Sequence, residues 1–327
     1  MSENNLKCQF VNSAGEQCGG VDNGSGFCFW HDENCCKNGS DIKQRLEDYA
    51  KSGGMLCGIS LKQADLSNID LVNHHHKNGY DFSQADLYKV NLSGAHLFNI
   101  NFSETSLMKA DLRGANLNWA NLDGANLLGV KWKDCKIEHL RLGEEVKQER
   151  EARQAIKNQK RDLAIDLFGQ SEEIYRDLRK HAEREGIFTM SGAFIQKELT
   201  MRRMQMRPYS LQRMTSKVVD LFCGYGEEPL RIVGLSIGMI ILCAFLYTLT
   251  GLNYQGDLQI FDSNATIGEN LNLFLSCLYY SVVTFTTLGY GDFTPVGASR
   301  AIAAFEAFSG SFTIALFVVV FVKKMTR

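Results

Sequence analysis

From Leu61 to Ile137 a large apolar residue returns at almost every fifth position. The series runs through Leu66 and Leu71, then Phe82, Leu87, Leu92, Leu97, Phe102, Leu107, Leu112, Leu117, Leu122, Leu127 and Trp132. Two places before most of them stands a small or β-branched residue, such as Ala85, Val90, Ala95, Ala110 and Ala115, with Asp or Asn often between. A period of five fits neither an α-helix nor a strand. It predicts a coil with four short sides, each turning one large and one small residue inward, so that stacked coils bury a continuous column. The frame slips by one residue at Asn73–Tyr80, around His74-His75-His76. That stretch reads as a solvated loop bulging from the column.

The pattern then changes to helical spacing. From Glu144 to Arg213 the chain is rich in charged residues, with Ile156, Leu163, Leu167, Ile174 and Leu178 on a helical period. Ser171 followed by Glu172 and Glu173 predicts a helix start, and Gly186 a helix stop. A further helix is expected over Gly192–Met206, ended by Pro208, and another from Ser210 to about Leu221. The stretch from Lys197 to Lys217 holds six basic residues against one Glu. Next to a membrane it would attract anionic lipid headgroups.

Two apolar runs follow, Leu230–Leu252 and Ala301–Val322, each the length a spanning helix needs. Between them Asn253 to Ser299 holds no Lys or Arg, while Arg213, Lys217, Arg231, Lys323, Lys324 and Arg327 flank the runs. The positive-inside rule puts both termini in the cytoplasm. Leu271–Thr286, containing Ser276, Ser281 and Thr284, falls short of a third span. It fits a re-entrant helix whose negative dipole end favours a cation. Glu306 is the one charge in the second run. At a helix centre a charge costs about 2.5–3.5 kcal/mol on insertion scales, so it faces the bundle with a partner, unless it sits near the outer interface as a cap. No helix carries arginines at every third position in an apolar run, which excludes a voltage sensor.

Composition adds three points. The formal charge of −2 gives no bulk attraction to nucleic acid. The first thirty residues lack an apolar signal core. Ten cysteines scattered through the chain suit a reducing compartment. Four of the early ligand types stand as Cys8, Cys18, Cys28 and His31. Three thiolates and an imidazole form a structural zinc set with no open position for catalysis, and Zn2+ would stabilise a piece too small for its own core. Cys35 and Cys36 read as substitute ligands or free thiols.

Units such as Ala115-Asn116-Leu117-Asn118-Trp119 resemble those of the pentapeptide-repeat proteins, which implies a right-handed quadrilateral β-helix. Some members of that family imitate DNA. Nine acidic against eight basic residues between Ile59 and Glu138 disfavour this here. The span–loop–span region resembles two-transmembrane potassium channels, because Thr286-Thr287-Leu288-Gly289-Tyr290-Gly291-Asp292 is close to their Thr-Val-Gly-Tyr-Gly filter. The resemblance implies that Thr287, Leu288, Gly289, Tyr290 and Gly291 bind K+ through backbone carbonyls and the Thr287 hydroxyl. It assigns support of the filter to Tyr279, Tyr280, Thr286 and Asp292, and a gating hinge to Gly310. Leu288 replaces the commoner Val or Ile, and Val283 stands where some members carry a glutamate.

The expected architecture is a multidomain membrane protein. It has a Cys3His module (1–40), a pentapeptide-repeat β-helix (55–140), a helical connector with an interfacial helix (141–226) and a two-span pore domain (227–327). The expected function is a homotetrameric potassium channel of the inner or plasma membrane, not an enzyme, gated by its N-terminal side in response to a ligand or protein that the sequence does not identify. Two rival readings are a membrane-tethered scaffold for a protein partner and a weakly selective cation channel. A tether needs neither a second span nor the Thr287–Asp292 loop.

Overall fold

The computed structural model describes residues 7–74 and 76–326. The chain divides into two compact units, with the boundary between Ser210 and Leu211.

In the first unit the five-residue period forms the expected coils. Ser60 pairs with Asp86, Asp111 with Lys131 and Asn121 with Arg141, all in parallel. The apolar positions close inward: Leu87, Leu92, Leu107, Leu112 and Leu117 are buried together with Ala85, Ala95 and Ala110. Each corner is a four-residue turn, as where the Ala115 N–H donates to the Leu112 carbonyl at 3.1 Å. The residue before the small one adopts a positive φ, which Gly114 takes at +69° without strain. At other corners Lys109, Glu104 and Asn99 take the same conformation, held there by ladder bonds such as Lys109 N–H to the Leu128 carbonyl at 2.8 Å. The intervening Asp/Asn positions form a side-chain ladder. Asn121 donates to Asn101 at 3.0 Å, and Asn101 to Asp81 at 2.7 Å.

One detail differs from expectation. Ser60, Asp65 and Asp70 pair with residues 26 positions on, whereas Asp81 and later residues pair 20 positions on. The bulge therefore adds six residues to its coil, one full side beyond the single-residue phase slip. A phase count cannot register a complete extra period. His75 of the three-histidine run lies outside the described residues; His74 is exposed beside Asp70 at 3.7 Å.

The solenoid ends are covered. At the start lie the cysteine-bearing segment and α1 (Ile42–Lys51), with the Ser60 N–H on the Trp30 carbonyl at 2.9 Å. At the far end lie α2 (Lys147–Lys157), α3 (Arg161–Arg184) and α4 (Phe188–Gln205). Ser171 is not a helix start. It sits inside α3 with its hydroxyl donating to the Leu167 carbonyl at 2.9 Å, an option that serine has in mid-helix as well as at a cap. Leu167, Ile174 and Leu178 of the expected stripe are buried, but Ile156 and Leu163 are exposed. Ala152, Ala155, Ala164 and Phe168 complete the buried face. One hydrophobic interior runs from Cys8 through the solenoid to Met201, so three expected domains share one core.

The second unit begins with α5 (Leu211–Cys223), which packs with the helices that follow it. Next come α6 (Pro229–Thr250), α7 (Ile267–Phe285) and α8 (Ser299–Met325). Among the described residues α6 and α8 are the two helices long and apolar enough to cross a membrane. At 22 and 27 residues they extend about 33 and 40 Å. A small antiparallel sheet joins β1 (Leu252–Tyr254), β2 (Asp257–Gln259) and β3 (Phe293–Pro295) in the order β2-β1-β3. Asn253 faces Leu258 on one side and Thr294 on the other.

Candidate pore loop and metal centre

α7 opens with a reciprocal cap, Thr266 N–H to the Glu269 carboxylate at 2.8 Å and Glu269 N–H to the Thr266 hydroxyl at 3.4 Å. It ends at Phe285, where the chain departs from the helix within two residues. Thr287 has φ +58°, unusual for a β-branched residue and a sign of stored strain. Gly289 follows at +58° and Gly291 at +80°, while Leu288 and Tyr290 keep negative φ. The hand of the backbone thus alternates residue by residue across Thr287–Gly291. Such alternation turns successive carbonyls toward one side. Among the described residues no backbone N–H donates to the carbonyls of Thr287, Leu288, Gly289 or Tyr290. The whole loop is exposed, including the large side chains of Leu288 and Tyr290.

A cleft of about 400 Å³ lies behind the loop, between Tyr280 and Val283 of α7 and Ala303 and Ala307 of α8. Tyr279 is an electrostatic neighbour of Asp292 and packs edge-on to Phe293 at 6.2 Å. Tyr280 lies 6.4 Å from the same Phe293 ring and meets Tyr247 of α6 edge-on at 5.0 Å. Thr286 bonds back to the Val282 carbonyl at 2.7 Å, closing the last helical turn.

Glu306 is fully buried where the three helices meet. Its carboxylate accepts from the Tyr247 hydroxyl of α6 at 2.6 Å and from the Ser281 hydroxyl of α7. Ser281 also lies 2.9 Å from the Ile240 carbonyl. Ser281 could be picked out as polar in an apolar segment, but nothing in the sequence pairs Tyr247 with Glu306. Gly310 lies inside the continuous helix α8. A Cβ there would run into the Phe285 carbonyl at the end of α7, so the glycine permits backbone-to-backbone contact just below the loop. The ends of the spans are tied as well. The Ser299 hydroxyl donates to the Gly251 carbonyl at 2.5 Å at one end, and Lys323 pairs with Glu227 at 2.8 Å at the other.

In the first unit Cys8, Cys18, Cys28 and His31 are all buried, with ligand atoms within 4.8 Å of one another. The Cys18 and Cys28 sulfurs are 3.8 Å apart, and His31 Nδ1 is 3.1 Å from Cys28 Sγ and 3.7 Å from Cys8 Sγ. Tetrahedral bonds of about 2.3 Å put neighbouring sulfurs about 3.8 Å apart, so the cage has zinc dimensions. His31 Nε2 donates to the Cys57 carbonyl at 2.9 Å, which leaves Nδ1 free to ligate. Burial pushes the Cys28 thiol up to about 12. A sulfur so placed ionises against a metal rather than against water. Cys35 and Cys36 stand outside the cage.

Fold and loop together define a membrane protein with an ion channel domain. Residues 234–327 match the family model described as ion channel. Residues 78–103 and 91–129 match the model for pentapeptide repeats. The particular architecture is therefore a fusion, with pentapeptide repeats and a Cys3His cluster on the N-terminal side of a channel domain. Among solved structures, the pentapeptide repeat protein Rfr23 from the cyanobacterium Cyanothece 51142 is 30% identical over 27% of this chain and 63% of its own, with a TM-score of 0.17. HetL from Nostoc sp. strain PCC 7120 is 26% identical over 27% of this chain and 53% of its own, with a TM-score of 0.16. The Nostoc protein alr5209 is 23% identical over 31% of this chain and 94% of its own, with a TM-score of 0.17. The chain thus spans less than two thirds of the first two. No curated protein matches it.

Proposed function

We propose that four copies of the chain surround one axis and conduct K+ passively, with Thr287–Gly291 of each forming a wall of the filter. The observation that carries this reading is the alternating backbone of Thr287, Gly289 and Gly291 beside carbonyls that accept no backbone hydrogen bond. A dehydrating potassium ion needs a ring of oxygens, and one chain offers only one side of it. The exposed Leu288 and Tyr290 and the apolar flanks of α6 and α8 are then covered by neighbouring copies and by lipid. The C-terminus of α7 adds the negative end of its dipole beneath the filter. Tyr279 and Asp292 brace the outer end.

In this reading both termini lie in the cytoplasm of an inner or plasma membrane, and the first unit binds structural zinc and gates the pore. No residue is assigned a catalytic role. The test is purified protein in liposomes, with reversal potentials read under opposed K+ and Na+ gradients. A reversal potential following K+ supports the proposal; one indifferent to the exchange of K+ for Na+ overturns it.

A further inference from the structure

The first unit contains a cleft of about 380 Å³ between one side of the solenoid and helix α3, well away from the cysteine cage. The solenoid wall brings Arg113 from one coil and Lys131 and Lys133 from the next. The helix wall brings Lys180 and Arg184, one turn apart on its exposed side, beside the buried His181. Five basic residues therefore line one hollow. Asp111 already holds Arg113 at 2.8 Å and Lys131 at 3.4 Å, and Asp177 lines the cleft.

What carries the argument is that basic side chains from two walls border one hollow. Many others at the helical end are neutralised: Arg150, Arg153, Arg176, Arg179, Lys197 and Arg202 each pair with a carboxylate. Among the described residues no ion pair involves Lys133, Lys180 or Arg184. Their two walls are also held rigidly together. His181 is buried and its Nε2 donates to the Cys135 carbonyl of the solenoid at 2.7 Å, with its ring lying over Trp132. Two rigidly joined walls thus present basic side chains to one hollow, which is the arrangement that suits a bound anion.

We infer that this cleft binds a small phosphate-bearing polyanion, of the di- or triphosphate class, bridged between Lys133 on the solenoid and Lys180 and Arg184 on α3. Its concave shape between two folded walls favours a free molecule over a flat lipid surface. The inference stands apart from the pore reading, because binding can be measured without conduction.

The experiment uses full-length protein in nanodiscs of zwitterionic lipid, titrated calorimetrically with inorganic pyrophosphate, with and without added phosphatidylglycerol. Saturable binding of one pyrophosphate per chain is expected, weakening as salt is raised. The variant K133E/K180E/R184E should bind about tenfold or more weakly. The milder K133Q/K180Q/R184Q, with an unchanged melting temperature, should also lose affinity. The control K157E/K160E, exposed basic residues elsewhere, should stay within about twofold. No saturable binding by the native protein overturns the inference. So does equal loss in the control, or binding that needs phosphatidylglycerol.

Discussion

The Tyr247 hydroxyl donates to the Glu306 carboxylate at 2.6 Å, and Ser281 donates to the other oxygen of the same group. One carboxylate thereby joins α6, α7 and α8. Glu306→Ala leaves the Tyr247 hydroxyl buried without its acceptor, while Ser281 keeps the Ile240 carbonyl, and should destabilise the protein by about 1–3 kcal/mol. Tyr247→Phe should cost about 1.5–3 kcal/mol. Melting of the purified assembly checks both. A double-mutant cycle of Tyr247→Phe with Glu306→Gln should give a coupling above about 0.5 kcal/mol.

Gly310 meets the Phe285 carbonyl with no room for a side chain. Gly310→Ala should therefore drive α8 away from the end of α7, costing about 1–3 kcal/mol and changing open probability. Gly238→Ala in α6 meets nothing within 4 Å and should leave flux and stability unchanged. Single-channel recording of the two variants side by side separates close packing at Gly310 from a general effect of glycine loss in the membrane helices.

At Gly289 and Gly291 the positive φ rather than space is limiting, because nothing lies within 4 Å of either position. Alanine there costs about 1 kcal/mol or more in backbone strain per chain. Gly289→Ala should reduce K+ flux by more than about tenfold while leaving the melting of the first unit unaffected.

The Cys3His cage predicts one zinc per chain by elemental analysis. Cys28→Ser or His31→Ala should abolish it. Removal of the metal by a strong chelator should lower the melting temperature of the first unit by roughly 10 °C or more. Cys36→Ser, outside the cage, should retain full metal content.

Glu172 in α3 gives the first unit an acid sensitivity. Burial pushes its carboxyl up, but Gln205 at 2.7 Å and Arg202 at 3.0 Å outweigh this and hold it below its ordinary value. A folded value below the unfolded one stabilises at neutral pH, and the stabilisation fades as pH falls through the folded value. Between about pH 5 and about pH 3 the melting temperature of the native protein should fall further than that of Glu172→Gln.

Period and hydropathy carried much of this fold in the sequence. Five-residue spacing is not shared by helices or ordinary strands, so the solenoid could be read directly, as could two long apolar runs. The helical end was less legible because its buried face begins with alanines, before Leu167, Ile174 and Leu178. Ala152, Ala155 and Ala164 are weak hydrophobic signals, while the conspicuous Ile156 and Leu163 face outward. The cysteine cage could be read because zinc fixes its own residue types. The meeting of Tyr247 with Glu306 could not, since 59 residues separate them and only the packing of three helices brings them together.

Cys8 beside the metal cage and Met201 on the last helix of the first unit share one unbroken apolar interior. Such a body should melt as one piece, so loss of the metal at one end lowers the stability of the helices at the other.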